Sequence, residues 1–363
     1  MKRFLIMVLL TVYFIVPVWG TDLEEQIDLF GADQVEQALP QEAGELMGRR
    51  DITETGDLSE GVQKIFSGAI QKSGSAVKNA LALCMQILAI VMLAGMLRGL
   101  AGGISEQAML LSAVLSIGAV CIGRISGFFS LAAQTVDSMT AFSGFLYAAL
   151  AATTAATGAV GTSSALYAVT VMVCSIMAKV VQILFLPGIS CYMALMVSNS
   201  AVGDNSLKMA GDTLKQLITN GLKLCVIAFT AYISSTGVIS GSADSAAIKA
   251  AKLTISTTVP VVGSMIADAS ETLLVSAGLL RSGIGIFGLL GVLAVSIVPF
   301  LQTGCQYLML KFTAAAAGVV GEKQLSGLIE AMAGALGLLT AATGVCTLIL
   351  MIGCVCFMRA AAI

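Results

Sequence analysis

Long apolar runs, many of them close to twenty residues, recur along the chain and are separated by polar stretches. In hydrocarbon no water satisfies backbone N–H and C=O groups, so a spanning chain must be helical or a closed barrel. Uninterrupted runs of this length favour helices, because barrel strands show only a weak alternation over about ten residues. We predict an all-α, polytopic membrane protein with about eight spans, give or take one or two. The predicted spans lie near residues 80–97, 108–131, 139–159, 164–186, 188–202, 222–241, 284–310 and 332–357.

The amino-terminal segment, residues 1–20, has the pattern of a cleavable secretory signal peptide. A basic pair precedes the apolar run 4–16, and the small residues Val18 and Gly20 occupy the −3 and −1 positions of a cleavage site. The alternative is an uncleaved first helix, but the apolar run is short for a span.

Residues 21–78 are predicted to form an acidic extracytoplasmic region. Twelve of the 21 acidic residues of the chain fall before residue 61. The first part, 21–56, is interpreted as a mobile arm or a pair of short helices. Asp57 and Glu60 have the capping-box spacing and precede a helical apolar pattern, so we expect an amphipathic helix on the membrane surface. The remainder, 79–363, is the predicted transmembrane domain.

Composition strengthens the membrane assignment and removes several classes of chemistry. Hydrophobic residues make up 57% of the chain and charged residues 11%, against about 25% charged in soluble domains. Mean hydropathy is +0.95. The chain has no histidine, which excludes histidine acid–base catalysis, Ser-His-Asp triads and the HExxH zinc motif. No GxxxxGK[ST] loop is present, so energy from ATP would have to come from a partner.

The nine cysteines lie in or beside apolar runs, and no disulfide framework is predicted. Cys354 and Cys356 are one residue apart without other ligands nearby, so packing is favoured over metal or redox chemistry. We predict no catalytic, metal or cofactor site and no binding of nucleic acid.

Two polar intervals carry phased charges. In 204–223, Lys208, Asp212 and Lys215 share one helical face opposite a leucine-rich face. In 244–256, lysines face an apolar side in the same way. Interfacial helices and ordinary solvated helices are both open interpretations. An exported amino terminus places 204–223 in the cytoplasm, but the same count places Lys249 and Lys252 outside.

Small residues dominate 148–165, and glycine pairs occur at the four-residue spacing that permits close helix packing. The pairs are Gly123 with Gly127 and Gly237 with Gly241. Close packing is the favoured interpretation of 148–165. The alternative is a polar path lined by Thr153, Thr154, Thr157 and Ser163.

Lys179 is the charged residue predicted to lie deepest in an apolar run. Insertion of such a charge costs about 2.5 to 3.5 kcal/mol, so a partner or a water-filled cavity is expected. A structural ion pair, with Asp137 as a candidate partner, and a role in a transport path are both open.

The most distinctive stretch is the run Pro260–Thr272. Pro260 and Gly263 are predicted to break a helix, after which Asp268 and Glu271 lie three residues apart on one face of a new helix. Such a broken helix suits a re-entrant element that lines a cavity or contacts a partner.

The signal peptide, the acidic region, the Asp244…Lys249…Lys252 helix and above all this run resemble the stage III sporulation protein AE family of endospore-forming bacteria. The resemblance extends over nearly the whole chain. It implies a protein made in the mother cell and placed in the membrane around the forespore. Its implied partners are other stage III sporulation membrane proteins and a partner ATPase, in a secretion-like complex joining the two cells. The motif positions carried over are Pro260, Gly263, Asp268, Glu271 and Thr272.

The leading functional hypothesis is therefore a non-enzymatic membrane component of that channel complex, either a permease-like subunit or an assembly platform. The alternative is a stand-alone secondary transporter for a small solute, suggested by Lys179 and the broken helix at Pro260, although no clear internal repeat supports it. A membrane-embedded enzyme is disfavoured, because Asp137 and Asp268 have no recognisable catalytic context.

Overall fold

The structure is a computed structural model that describes residues 31–48, 58–100, 106–156, 160–258, 262–320 and 323–359. Within these ranges the chain is helical and contains no strand. The α-helices, numbered in chain order, are α1 (Ala32–Gln37), α2 (Gln41–Met47), α3 (Leu58–Lys72), α4 (Gly74–Leu100), α5 (Glu106–Ala156), α6 (Val160–Val180), α7 (Leu186–Val202), α8 (Asn205–Thr258), α9 (Val262–Val319) and α10 (Lys323–Arg359). A π-helical segment, Val181–Phe185, joins α6 to α7.

Helix α9 is the centre of the bundle over residues 284–297. Ile284, Phe287, Leu290 and Val292 are all at most 1% exposed, although they project from different sides of the helix. A helix that is apolar all round must be covered on every side. Helices α10, α5, α4, α3 and α2 supply the cover by packing against α9.

Helices α9 and α10 form a tight antiparallel hairpin. Ser326 Oγ donates to the Ala314 carbonyl at 2.7 Å near the turn, and Cys354 Sγ donates to the Gly285 carbonyl at 3.4 Å at the far end. The predicted spans 284–310 and 332–357 left a connection of about twenty residues between them. In the structure α9 continues to Val319 and α10 already begins at Lys323. The reason is burial, since the predicted connection has its own fully buried side chains: Ala317, Leu325, Leu328 and Ile329.

Three glycines on α9 allow α5 and α10 to approach closely. A Cβ atom at Gly291 would lie 2.5 Å from Phe142 Cζ, and one at Gly285 would lie 2.5 Å from Met358 Cγ. A Cβ atom at Gly288 would overlap the Leu146 side chain. Larger residues at these positions would therefore push the helices apart.

The glycine pair predicted from spacing does not mark such a contact. Among the described residues, no other helix has an atom within 4 Å of a Cβ placed at Gly123 or at Gly127, so this part of the close-packing prediction is wrong there. The four-residue spacing permits approach, but contact also needs a neighbouring helix on that face. The side chains around Gly237 and Gly241 lie outside the described residues.

The predicted spans 108–131 and 139–159 both fall in α5, which runs from Glu106 to Ala156 without a break. Residues 128–143 contain neither proline nor glycine, so nothing interrupts the backbone hydrogen bonds. Thr135, a polar residue of the predicted connection, is 5% exposed and donates to the Leu131 carbonyl at 2.7 Å.

The predicted boundary between spans 164–186 and 188–202 is also continuous helix. Pro187 lacks an N–H group, and its ring would clash with the carbonyl four residues earlier in a regular helix. The π-helical segment Val181–Phe185 widens the backbone immediately before Pro187 and lets the helix continue. The chain here is therefore one long helical element with a local bulge.

Among the described residues, five helical segments are long and apolar enough to cross a membrane. They are Gly74–Leu97, Gln107–Ala156, Tyr167–Val202, Ser282–Val319 and Lys323–Val355. The all-helical class is confirmed, whereas the predicted count of about eight spans is not. The predicted signal peptide lies outside the described residues.

The described parts of the acidic region, residues 31–48 and 58–78, form helices that pack on the bundle. Val35 of α1 and Leu46 of α2 are 0% and 5% exposed. A Cβ at Gly61 of α3 would lie 2.6 Å from Leu290 Cδ1, so α3 lies directly against α9. The apolar pattern predicted for α3 divides into two faces. Ile65 and Ala69 are buried against the bundle, and the exposed apolar residues are Leu58, Val62, Phe66 and Ile70.

Candidate functional site

The Pro260–Thr272 motif falls at the junction of two long helices. Helix α8 ends at Thr258 and α9 begins at Val262, while Pro260 itself lies outside the described residues. Gly263, Asp268, Glu271 and Thr272 lie in the first turns of α9, where the structure describes the backbone alone. Asp268 and Glu271 thus share one helical face, and the role of the motif stays a prediction.

Lys179 lies in the last turn of α6, immediately before the π-helical segment. Its side chain is exposed, and no ion pair involving it occurs within the described residues. Asp137, the candidate partner, instead accepts a hydrogen bond from Gln182 Nε2 at 2.6 Å. Gln182 belongs to the π-helical segment, so this bond joins the bulge to the middle of α5.

The small-residue stretch contributes buried hydroxyls that are bonded to their own helix. Thr153 and Thr154 are both 0% exposed. Thr154 Oγ1 donates to the Leu150 carbonyl at 2.6 Å, and Thr153 Oγ1 donates to the same carbonyl at 3.0 Å. This favours packing over the polar-path interpretation for these two residues. Thr157 lies outside the described residues, and Ser163 is described for its backbone alone.

No group of three potential ligands among His, Cys, Asp and Glu is placed to hold a metal ion in the part of the chain that the structure describes. Cys354 is fully buried, and its thiol donates to a backbone carbonyl of α9. Its side chain therefore serves helix packing.

A polar cavity of about 480 Å³ lies between α7, α8 and α10. Sequence reasoning found one of its walls, the Lys208–Asp212–Lys215 face of α8, but neither of the others. The residues that line it are Tyr192, Met196, Asn199, Ser200, Gly203, Asn205, Lys208, Asp212, Lys215, Lys323, Gln324, Gly327, Glu330 and Ala331. We call this space the α7–α8–α10 pocket.

The turn between α7 and α8 shapes the mouth of the pocket. Gly203 has φ of 76°, a left-handed conformation that favours glycine, and its N–H donates to the Asn199 carbonyl at 2.7 Å. Asp204 Oδ1 then accepts from the Ser206 N–H at 2.9 Å, which caps the start of α8. This turn folds α8 back along α7 and brings the charged face of α8 over α10.

A hydroxyl and an ammonium group of the pocket lining both lie close to Gly334 of α10, at what we call the inner end of the pocket. Tyr192 is 2% exposed. A Cβ at Gly334 of α10 would lie 2.9 Å from Tyr192 Oη and 3.6 Å from Lys215 Nζ. The missing side chain at Gly334 therefore leaves room for both polar groups to meet α10.

Glu330 is paired across the α9–α10 hairpin. Lys311 Nζ donates to Glu330 Oε1 at 2.7 Å, with the two side chains 39% and 62% exposed. At that exposure the pair adds about 0–1 kcal/mol to stability, so its main effect is to neutralise the Glu330 charge beside the pocket.

The bundle of long apolar helices around a buried central helix, with a charged pocket at one end, is that of a helical membrane protein. The sequence model of the stage III sporulation protein AE family matches residues 47–361, and the chain belongs to that family. The suspected resemblance is thereby confirmed, and membership implies a role in stage III of sporulation. No curated protein and no solved structure matches the chain.

Proposed function

We propose that the protein is a non-enzymatic, multi-pass membrane subunit of the channel complex that joins mother cell and forespore during sporulation. The observation that carries the proposal is the family match over residues 47–361. The α7–α8–α10 pocket supports it, because an open polar cavity between apolar helices suits a permease-like subunit or a docking point for a partner.

The experiment that tests this role is deletion of the gene in a sporulating host. We expect development to stop after engulfment, with near-complete loss of heat-resistant spores. A copy expressed in the mother cell should restore them, whereas the same copy expressed only in the forespore should not. Normal spore counts in the deletion strain would contradict the proposal.

We propose that the arm formed by α1 to α3 is exported and that the pocket faces the mother-cell cytoplasm. The arm touches α9 at Gly291, where a Cβ would lie 3.2 Å from Leu39 Cδ1, and the pocket end is marked by Lys311. Twenty helical residues span about 30 Å, which is close to the hydrocarbon thickness of a bilayer. Lys208, Lys215 and Lys323 line the pocket and Lys311 lies beside it, and a cytoplasmic position of these lysines follows the positive-inside rule.

Two short epitope tags test this orientation. One is inserted before Ala32 and the other in the turn between Val319 and Lys323. In intact protoplasts of vegetative cells that express the gene, where the protein enters the plasma membrane, we expect an antibody to reach the first tag only, because the second lies on the cytoplasmic face. Permeabilisation should expose both tags. The reverse pattern in intact cells would refute the orientation.

Further stage III membrane proteins and a partner ATPase are the proposed partners. Photo-crosslinking residues placed at Asp268 and at Glu271, followed by purification from sporulating cells, test this. Crosslinks to heterologous membrane proteins support a complex, whereas crosslinks only between copies of the chain favour the stand-alone transporter. The pocket is the observation that keeps the transporter as a second candidate, and purified protein that moves a solute in liposomes would establish it.

A further inference from the structure

The charges around the α7–α8–α10 pocket do not balance. Lys208, Lys215 and Lys323 line it against two carboxylates, Asp212 and Glu330. Glu330 is already neutralised by Lys311 at 2.7 Å, from outside the lining. The walls therefore hold three ammonium groups and one carboxylate, Asp212, that is not neutralised from outside. Asp204 adds one more carboxylate at the mouth, and the net charge stays positive.

The positive charge extends from the mouth to the inner end of the pocket. Lys208 and Lys215 lie seven residues apart on one face of α8, which corresponds to about 10 Å along the helix. Lys323 lies at the mouth, in the first turn of α10. At the inner end the Tyr192 hydroxyl and the Lys215 ammonium group both lie within 4 Å of the Cβ position of Gly334. An anionic group would meet hydrogen-bond donors along this whole depth.

Other groups at the mouth add donors. The amide side chains of Asn199, Asn205 and Gln324 line the cavity. Helix α10 begins there, and the first N–H groups of a helix carry a partial positive charge, whereas the start of α8 is already capped by Asp204. Met196 and Ala331 provide an apolar part of the wall. The pocket thus combines converging cations with room for an uncharged organic portion.

We propose that the α7–α8–α10 pocket binds a phosphate group carried on a small organic molecule. Lysines bind phosphate as point charges, and the amino terminus of α10 adds directed N–H donors. A cavity of about 480 Å³ is much larger than a single phosphate ion, so the ligand includes an organic part such as a glycerol unit. Two sources share this chemistry, the head group of an anionic phospholipid and a soluble phosphorylated metabolite. The proposal deepens the proposed function. It rests on that function only for the side of the membrane from which the ligand reaches the pocket.

Binding is measured on the purified full-length protein, which separates this test from the sporulation phenotype. In detergent the probe is glycerol 3-phosphate, with potassium chloride at equal ionic strength as the screening control, and the readout is the midpoint of thermal denaturation. In nanodiscs the probe is phosphatidylglycerol, with phosphatidylcholine as the control, and the readout is lipid retained after purification. We expect a rise in midpoint with the first probe, enrichment of the second, or both.

The variant K208Q/K215Q removes two of the lining ammonium groups, and K223Q removes a matched exposed lysine of the same helix that does not line the pocket. We expect K208Q/K215Q to weaken binding by about tenfold or more and K223Q to bind like the natural chain. Equal unliganded midpoints for the three proteins show that each is folded. Binding of the soluble probe alone identifies a metabolite site, and binding of the lipid alone identifies a head-group site. Absence of both, equal binding by K208Q/K215Q, or capture of only an acidic protein segment overturns the proposal.

Discussion

Gly291→Val is expected to destabilise the bundle by about 3 kcal/mol, at the upper end of the usual cost of overpacking. A Cβ at this position would lie 2.5 Å from Phe142 Cζ and 2.8 Å from Phe142 Cε1. The Phe142 ring is rigid and 0% exposed, so it has no free space into which to move. The midpoint of thermal denaturation in detergent should fall clearly below that of the natural chain.

Gly304→Val is the matched control, because Gly304 lies on the same helix and no neighbouring helix in the described part of the chain has an atom within 4 Å of its Cβ position. Its midpoint should stay close to that of the natural chain. A double-mutant cycle with Phe142→Leu then isolates the contact. The smaller side chain should recover part of the loss, by about 0.5–3 kcal/mol. Strictly additive effects, or equal losses at Gly291 and Gly304, would show that the α5–α9 contact is not the cause.

The same contrast shows what glycine spacing reveals from sequence. Gly123 and Gly127 have the four-residue spacing of close helix pairs, but no helix of the ranges that the structure describes lies within 4 Å of a Cβ at either position. Gly288 and Gly291 lie only three residues apart and meet Leu146 and Phe142. The spacing of glycines indicates that one face of a helix carries small side chains. Whether that face makes a close contact depends on which helix lies opposite.

Helix class follows from the apolar runs, but helix ends do not. Polar residues near 311 and 330 indicated the ends of two spans, yet Lys311 and Glu330 pair with each other and the helices continue past them. When hydropathy is averaged over a short stretch of sequence, each charged residue is treated as one that must face water. The partner lies nineteen residues away on the facing helix, which no window over a single span includes.

The predicted boundary between spans 164–186 and 188–202 is not a helix end, for a related reason. Pro187 indicated a boundary, since it removes one hydrogen bond and clashes with the preceding turn. The five-residue π-helical segment Val181–Phe185 absorbs both effects. A proline can end a helix or be accommodated by a bulge, and packing decides between the two. Here Phe185 and Leu186 are both buried, so the continuous helix is kept.

The candidate site was predictable to the extent that its charges lie on one helix. Lys208, Asp212 and Lys215 share a face by simple periodicity. Tyr192 and Glu330 gave no such signal, because each is an isolated polar residue near the end of an apolar run. Only the turn at Gly203 and the α9–α10 hairpin bring them to α8.

Tyr147→Ala is expected to cost about 3–5 kcal/mol, the usual range for removing a large buried aromatic side chain. Tyr147 is 1% exposed, and its ring stacks on Phe357 with centroids 5.5 Å apart. Its hydroxyl donates to the Leu350 carbonyl at 2.8 Å. A Cβ at Gly353 would lie 2.5 Å from Tyr147 Oη, so the ring occupies a space that this glycine leaves open.

Two further variants separate the ring from its hydroxyl. Tyr147→Phe keeps the packing and loses the hydrogen bond to the Leu350 carbonyl together with the weak one from Cys174 Sγ at 3.9 Å, so we expect a loss of about 1 kcal/mol. Phe145→Ala removes an aromatic ring two residues away that is 48% exposed, and should change the denaturation midpoint least. We expect the highest denaturation midpoint for Phe145→Ala, a lower one for Tyr147→Phe and the lowest for Tyr147→Ala. Equal midpoints for Tyr147→Ala and Phe145→Ala would mean that the ring at 147 does not hold α5 against α10.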